Sequence, residues 1–168
     1  ILDREQKDIG VVNGIVGIQR YLVTIRGVKN HAGTTPMTLR DDAMTKAARL
    51  IVELDELARK TDPDMVCTVG WLEAAPGVAN VIPNQVRMFV ELRAMEPASI
   101  EKLHSYILER FPVGDCTCET TFRQEPVPMA EICKAAVDTA AAELGLSRRV
   151  INSGAGHDTM ILAERISN

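Results

Sequence analysis

Apolar and polar residues alternate along several stretches of this chain with the period of two that a half-buried strand requires. In "GIQRYLVTIRG" (17–27), Tyr21, Val23 and Ile25 fall on one side and Leu22, Thr24 and Arg26 on the other. The clearest case is "QVRMFVELRA" (85–94), where Val86, Met88, Val90 and Leu92 face one way and Arg87, Phe89, Glu91 and Arg93 the other. "MVCTVGWLEA" (65–74) and "CTCETTF" (116–122) complete a set of four strands. A period near 3.6 takes over in "TLRDDAMTKAARLIVELDELARK" (38–60), with Met44, Ala47, Ala48, Ile51, Leu54 and Leu57 on one face. Thr38 and Asp41 read as the cap of that helix. Pro97 opens a second helix with Ile100, Leu103, Ile107 and Phe111 on its apolar face.

The order is β-α-β-β-α-β, which predicts an α+β, ferredoxin-like unit: a four-stranded antiparallel sheet with both helices on one face. The other face is left open. Arg93, opposite the apolar residues of its strand, is expected to point there. After "RQEPVP" (123–128) the character changes. Met129 to Leu144 reads as an Ala-rich helix ending at Gly145, a C′ glycine. "RRVIN" reads as a short strand, "SGAGHD" (153–158) as a glycine loop, and "TMILAERI" as a further helix. Strand, glycine loop and helix form an α/β idiom foreign to the ferredoxin-like unit, so a boundary is expected near Glu125 to Pro128.

Composition narrows the partners. The 168 residues carry a net charge of −4 and are 46% hydrophobic, enough for a real core, with no basic run to attract nucleic acid or an anionic membrane. No apolar stretch approaches the roughly 20 residues of a membrane span, and the charged opening "ILDREQKD" does not resemble a signal peptide. The absent initiator methionine leads us to expect a fragment of a longer protein. Cys67, Cys116, Cys118 and Cys133 lack zinc spacing and read as reduced, structural thiols of a cytoplasmic protein.

Four places could carry chemistry. His31 lies in "VKNHAGTTPM" between strand and helix. A loop histidine taken alone more often makes a local hydrogen bond; its functional reading is a donor to a substrate carbonyl or oxyanion. Asn80, in "VANVIPN", either closes an Asx-turn or offers a donor and an acceptor to an amide or ureide. Arg93 either pairs with Glu91 or grips a carboxylate with its fork. "SGAGHD" is either a turn or an anion site at a helix start, with His157 and Asp158 as a titratable pair. His104, mid-helix among polar residues, reads as surface. The three histidines are far apart in sequence and assemble no metal motif.

"HAGTTPM", "NVIPNQVRMFVELR" and "SGAGHD" together resemble the M20 metallopeptidase-like amidohydrolases, within them the N-carbamoyl-L-amino-acid hydrolase, allantoate amidohydrolase and β-ureidopropionase branch. The resemblance implies that residues 12–124 are a lid and dimerisation domain. Residues 1–11 and 125–168 would then be parts of a catalytic α/β domain. It implies a hydrolase acting on a carbamoyl or ureido C–N bond, working as a homodimer on a small carboxylate substrate. Two divalent metal ions, zinc or manganese, are implied for the intact enzyme and none for these residues alone. By motif match His31 would polarise the scissile carbonyl in a site completed across the dimer. Asn80 would bind the substrate and Arg93 its carboxylate. Gly154, Ala155 and Gly156 would supply backbone contacts, with His157 and Asp158 as possible support. A lid from an aminoacylase or peptidase of the same clan, or a non-catalytic dimerisation module, are the alternatives.

Overall fold

The computed structural model describes residues 1–156 and 158–166. The chain forms two compact units, one of Ile18–Gln124 and the other of Ile1–Gly17 with the stretch from Glu125 onward.

The first unit is built on β2 (Gly17–Arg26), β4 (Val66–Ala75), β6 (Gln85–Ala94) and β7 (Cys116–Gln124), which form an antiparallel sheet in the order β4-β6-β2-β7. Helices α1 (Ala43–Thr61) and α2 (Pro97–Glu109) supply the other half of its core. Strand alternation decides which side chains meet them. Tyr21, Val23 and Ile25 of β2 and Val86, Met88, Val90 and Leu92 of β6 are fully buried against Leu50, Leu54, Leu103 and Ile107 of the helices. Each such side chain contributes on the order of 1.5–3 kcal/mol by leaving water.

The buried seam of α1 is Ala43, Ala47, Leu50, Leu54 and Ala58. Met44, Ile51 and Leu57 flank it, and Ala48, expected inside, is exposed. The seam is shifted because the helix begins later than the Thr38–Asp41 pattern implies. Met37–Leu39 is a separate 3-10 turn, and the cap is Asp42, whose Oδ1 accepts from the backbone N–H of Met44 at 2.8 Å and of Thr45 at 3.3 Å. Asp41 is engaged elsewhere: its carbonyl accepts from the N–H of Val28 at 2.7 Å, and its carboxylate meets Lys46 Nζ at 2.5 Å. Gly27 permits this approach, since a Cβ there would lie 2.4 Å from the Asp41 carbonyl oxygen.

His104 is half-buried rather than fully exposed. Its ring stacks on that of buried Tyr21, centroids 4.6 Å apart and planes within 13°. Burial pushes the Tyr21 hydroxyl up to about 12, and it donates to Gln19 Oε1.

The second unit holds a three-stranded sheet in the order β8-β1-β9, from β1 (Ile9–Ile15), β8 (Val127–Pro128) and β9 (Arg148–Ser153). β1, which the hydrophobic pattern did not reveal, runs parallel to β9 and antiparallel to β8. Helix α3 (Glu131–Glu143) packs on β1, and Lys134 Nζ donates to Asn13 Oδ1 at 3.0 Å. Gly145 follows α3 in the left-handed region at φ 66°, as a C′ glycine should. Helix α4 (Asp158–Ile166) ends the described chain.

Candidate functional site

His31 sits on β3 (Asn30–His31), which pairs antiparallel with β5 (Val81–Ile82). The pairing sets His31 opposite Val81, and the N–H of Ala32 donates to the Asn80 carbonyl at 2.9 Å. His31, on the ladder, and Asn80, the residue before β5, are thus brought to the same end of it, both exposed. The loop after His31 is fastened. Thr35 donates to the His31 carbonyl through its N–H at 3.2 Å and its hydroxyl at 2.8 Å. Arg40 Nε donates to the Thr35 carbonyl at 3.0 Å, and its Nη2 to that of Ala32. Arg40 is a support that the sequence reading missed; an arginine just beyond the motif was its only signal.

The N–H of Gly33 donates to His31 Nδ1 at 3.0 Å. With Nδ1 accepting, the neutral ring carries its proton on Nε2, which makes that atom a hydrogen-bond donor. Gly33 fits close to the ring, since a Cβ there would stand 3.2 Å from His31 Cε1.

Arg93 lies at the opposite end of β6. That strand has 10 residues, so at ~3.3 Å per residue its ends are roughly 30 Å apart. The β3–β5 ladder belongs to its beginning, where Gly27 donates to the Asn84 carbonyl at 2.9 Å; Arg93 is one residue from its end, opposite Val66 of β4. The structure therefore unites His31 with Asn80 and holds Arg93 apart from both within one copy.

On the open face Arg93 is part of a charged row. Its Nε and Nη2 donate to Glu91 Oε1 at 2.9 and 2.6 Å. Glu91 Oε2 accepts from Arg20 Nε at 3.0 Å and from Arg20 Nη2. Arg20 in turn lies over the Phe122 ring, 5.8 Å from its centroid. Burial alone would raise the Glu91 carboxyl, but the bonds from Arg20 and Arg93 outweigh it and hold the group below the usual carboxylate range. Beside the row lies a groove of about 480 Å³ walled by Trp71, Phe89 and Phe122. Arg93 is thus paired with Glu91 on the open face, the first of the two readings made from the sequence. Arg20 and Glu91 were not singled out beforehand, although the alternation of β6 places Glu91 on Arg93's side.

Gly154, Ala155 and Gly156 form the exposed loop between β9 and α4 in the second unit, where Ser153 Oγ donates to the Ala155 carbonyl at 3.1 Å. Asp158 is the first residue of α4. His157 lies outside the described residues. Burial raises the thiols of Cys67 and Cys116 to about 11 and that of Cys118 to about 12, which suits packing groups rather than nucleophiles.

Residues 13–112 match the family model described as a peptidase dimerisation domain of the M20 type. The chain belongs to the M20 family. It is 37% identical over 172 residues to an N-carbamoyl-L-amino-acid amidohydrolase of Paenarthrobacter aurescens, covering 98% of this chain and 41% of that protein. It is 36% identical to an allantoate amidohydrolase of Bacillus subtilis, with 98% and 41% covered. Among solved structures it is similar to an amidase of the hydantoinase/carbamoylase family from Burkholderia multivorans, at TM-score 0.90 and 34% identity over 98% of this chain and 41% of that one. This M20 chain thus spans about two-fifths of the length of those relatives. Among its described residues no group of three His, Cys, Asp or Glu side chains is arranged to hold a metal ion, and no helix is long and apolar enough to cross a membrane.

Proposed function

We propose that this chain supplies the lid and dimerisation part of a longer amidohydrolase that cleaves the carbamoyl or ureido C–N bond of a small carboxylate, an N-carbamoyl-L-amino acid or allantoate. In this reading residues 12–124 are the lid, and residues 1–11 and 125–168 belong to a catalytic α/β domain. Ile132, Val150 and Ile161 in the second unit are exposed apolar side chains, which is in keeping with a sheet and helices that have further neighbours in the longer protein.

The observation that carries the reading is the β3–β5 ladder, which pairs His31 with Val81 and ties Ala32 to the Asn80 carbonyl, together with the Gly33 bond that leaves Nε2 as the His31 donor. A donor fixed in this way suits a carbonyl whose oxygen gains charge as the C–N bond is attacked. The Asn80 amide would hold the ureido group, and the Arg93 fork the carboxylate. A small substrate cannot touch both ends of β6 in one copy. That distance favours a homodimer in which His31 and Asn80 of one copy complete a site served by Arg93 of the other. Gly154, Ala155 and Gly156 would give backbone contacts, with His157 and Asp158 in support.

The resemblance brings two divalent metal ions, zinc or manganese, to the longer enzyme as its source of activated water. The described residues here do not form such a site, and the work assigned to this chain is recognition, orientation and polarisation. Cytoplasmic residence is part of the same reading and rests on the four free cysteines.

In the full-length enzyme, replacing His31 by Ala should lower kcat by roughly 10²–10³ while KM changes little. A kcat equal to that of the unaltered enzyme would remove His31 from the chemistry.

A further inference from the structure

We propose that Glu91, anchored by Arg20, is a positioning residue that fixes the direction in which the Arg93 guanidinium is presented to a substrate carboxylate. The proposal rests on the reading of Arg93 as the carboxylate-binding group and adds two residues to it.

The geometry is specific. Both donors from Arg93 to Glu91 come from one edge of the guanidinium, Nε and Nη2, and both meet the same oxygen, Oε1. Two bonds from a planar fork to one acceptor fix which edge of the guanidinium faces it, here the Nε–Nη2 edge. The other oxygen, Oε2, is taken by Arg20, so Glu91 cannot turn without breaking bonds at both ends. Arg20 comes from a different strand, β2, and rests on Phe122 of a third, β7. The orientation of Arg93 is therefore referred across β6, β2 and β7 rather than to its own backbone alone. An arginine held this way loses less rotamer freedom when a ligand arrives. The exposures agree: the Glu91 side chain is 19% exposed between an Arg93 side chain at 28% and an Arg20 side chain at 45%. The carboxylate is the enclosed member, and Arg20, the outer one, is the tether most easily removed.

A rival role would have Glu91 compete with the substrate for Arg93. The two roles have opposite signs. If Glu91 positions Arg93, its loss weakens substrate binding; if it competes, its loss strengthens binding.

The test measures KM and kcat in the full-length enzyme. The probes are an N-carbamoyl amino acid that the enzyme hydrolyses and the same compound with its carboxylate replaced by a carboxamide. Glu91→Gln is expected to raise KM for the carboxylate substrate roughly tenfold, with kcat within about twofold, and to leave KM for the carboxamide unchanged. Glu91→Asp should recover part of the loss. Arg20→Gln, which alters only the outer tether, should raise KM in the same direction by a smaller factor, and it carries the test if Glu91→Gln does not fold. An equal KM change for carboxylate and carboxamide would overturn the proposal, because the effect would then be general to the fold. So would an unchanged or lowered KM in both variants. Arg93→Lys separates the two levels of the argument. If it leaves KM for the carboxylate unaltered, the reading of Arg93 fails and the proposal with it. If it raises KM while Glu91→Gln and Arg20→Gln do not, the positioning role alone fails.

Discussion

Met88 and Arg87 are neighbours on β6, yet they answer to different constraints. Met88 points into the helix-covered face, where it is fully buried, and Arg87 points to the open face, where it meets Glu73 at 3.8 Å and lies over the Trp71 ring, 5.9 Å from its centroid. The same division holds along the whole strand. Val86, Met88, Val90 and Leu92 pack the core; Arg87, Phe89, Glu91 and Arg93 meet solvent, a groove and each other. One face of a single strand carries stability while the other is released from the core, because successive side chains cannot share a side. The open face can therefore accumulate charge that a core would not tolerate.

The sharpest way to break this comparison is to cut each face in turn. Met88→Ala should cost about 2–5 kcal/mol of stability, read by urea denaturation. Asp42→Ala, which removes the cap that starts α1 behind the same core, should cost about 1 kcal/mol in the same assay. A smaller effect, and one that depends on pH, is expected at Glu53, which lies between the two helices. Arg110 donates to it in bidentate fashion at 2.6 and 2.8 Å, and Tyr106 adds a bond at 3.1 Å. The Arg110 bonds are the main cause that holds the Glu53 carboxyl below its ordinary value of 4.5. A carboxyl lowered in the folded state adds stability above its unfolded value and loses it as pH falls through the folded one. Thermal melts of the parent and of Glu53→Gln should thus differ at pH 7 and converge as the pH is brought well below the ordinary carboxyl value of 4.5. Arg87→Ala should come last, at no more than about 1 kcal/mol. A loss there equal to that of Met88→Ala would show that the open face is as structural as the covered one.

How far the sequence could be read followed from the range of the interactions. β6 was legible residue by residue because its alternation is unbroken over the strand. The two-residue strands β3 and β5 were not, since a period cannot be seen in two residues; only their mutual pairing defines them. β1 was hidden for a related reason: its register shifts between Val12 and Gly14, and its main partner, β9, lies at the far end of the chain. The start of α1 was misplaced because two aspartates follow one another, and only the tertiary tie of Asp41 to Val28 shows which of them caps. His104 looked exposed beside its polar neighbours, and its partner Tyr21 is on another element. At the candidate site, the motifs picked out His31, Asn80 and Arg93 as residue types. The bond from Ala32, next to His31, to the Asn80 carbonyl, and the row from Arg93 through Glu91 to Arg20, cross between strands and leave no trace in local spacing.

β6 also acts as a gauge rod. It fixes how far the ladder that bears His31 stands from the arginine at the other end, and hydrogen bonds to β4 along its length keep that span from stretching. A single inserted residue would turn everything beyond it to the wrong side. An inserted pair would keep the sides and lengthen the rod by about 6.6 Å. The distance between the His31 ladder and Arg93 is therefore adjustable only in steps of that size, far coarser than the tolerance of a hydrogen bond.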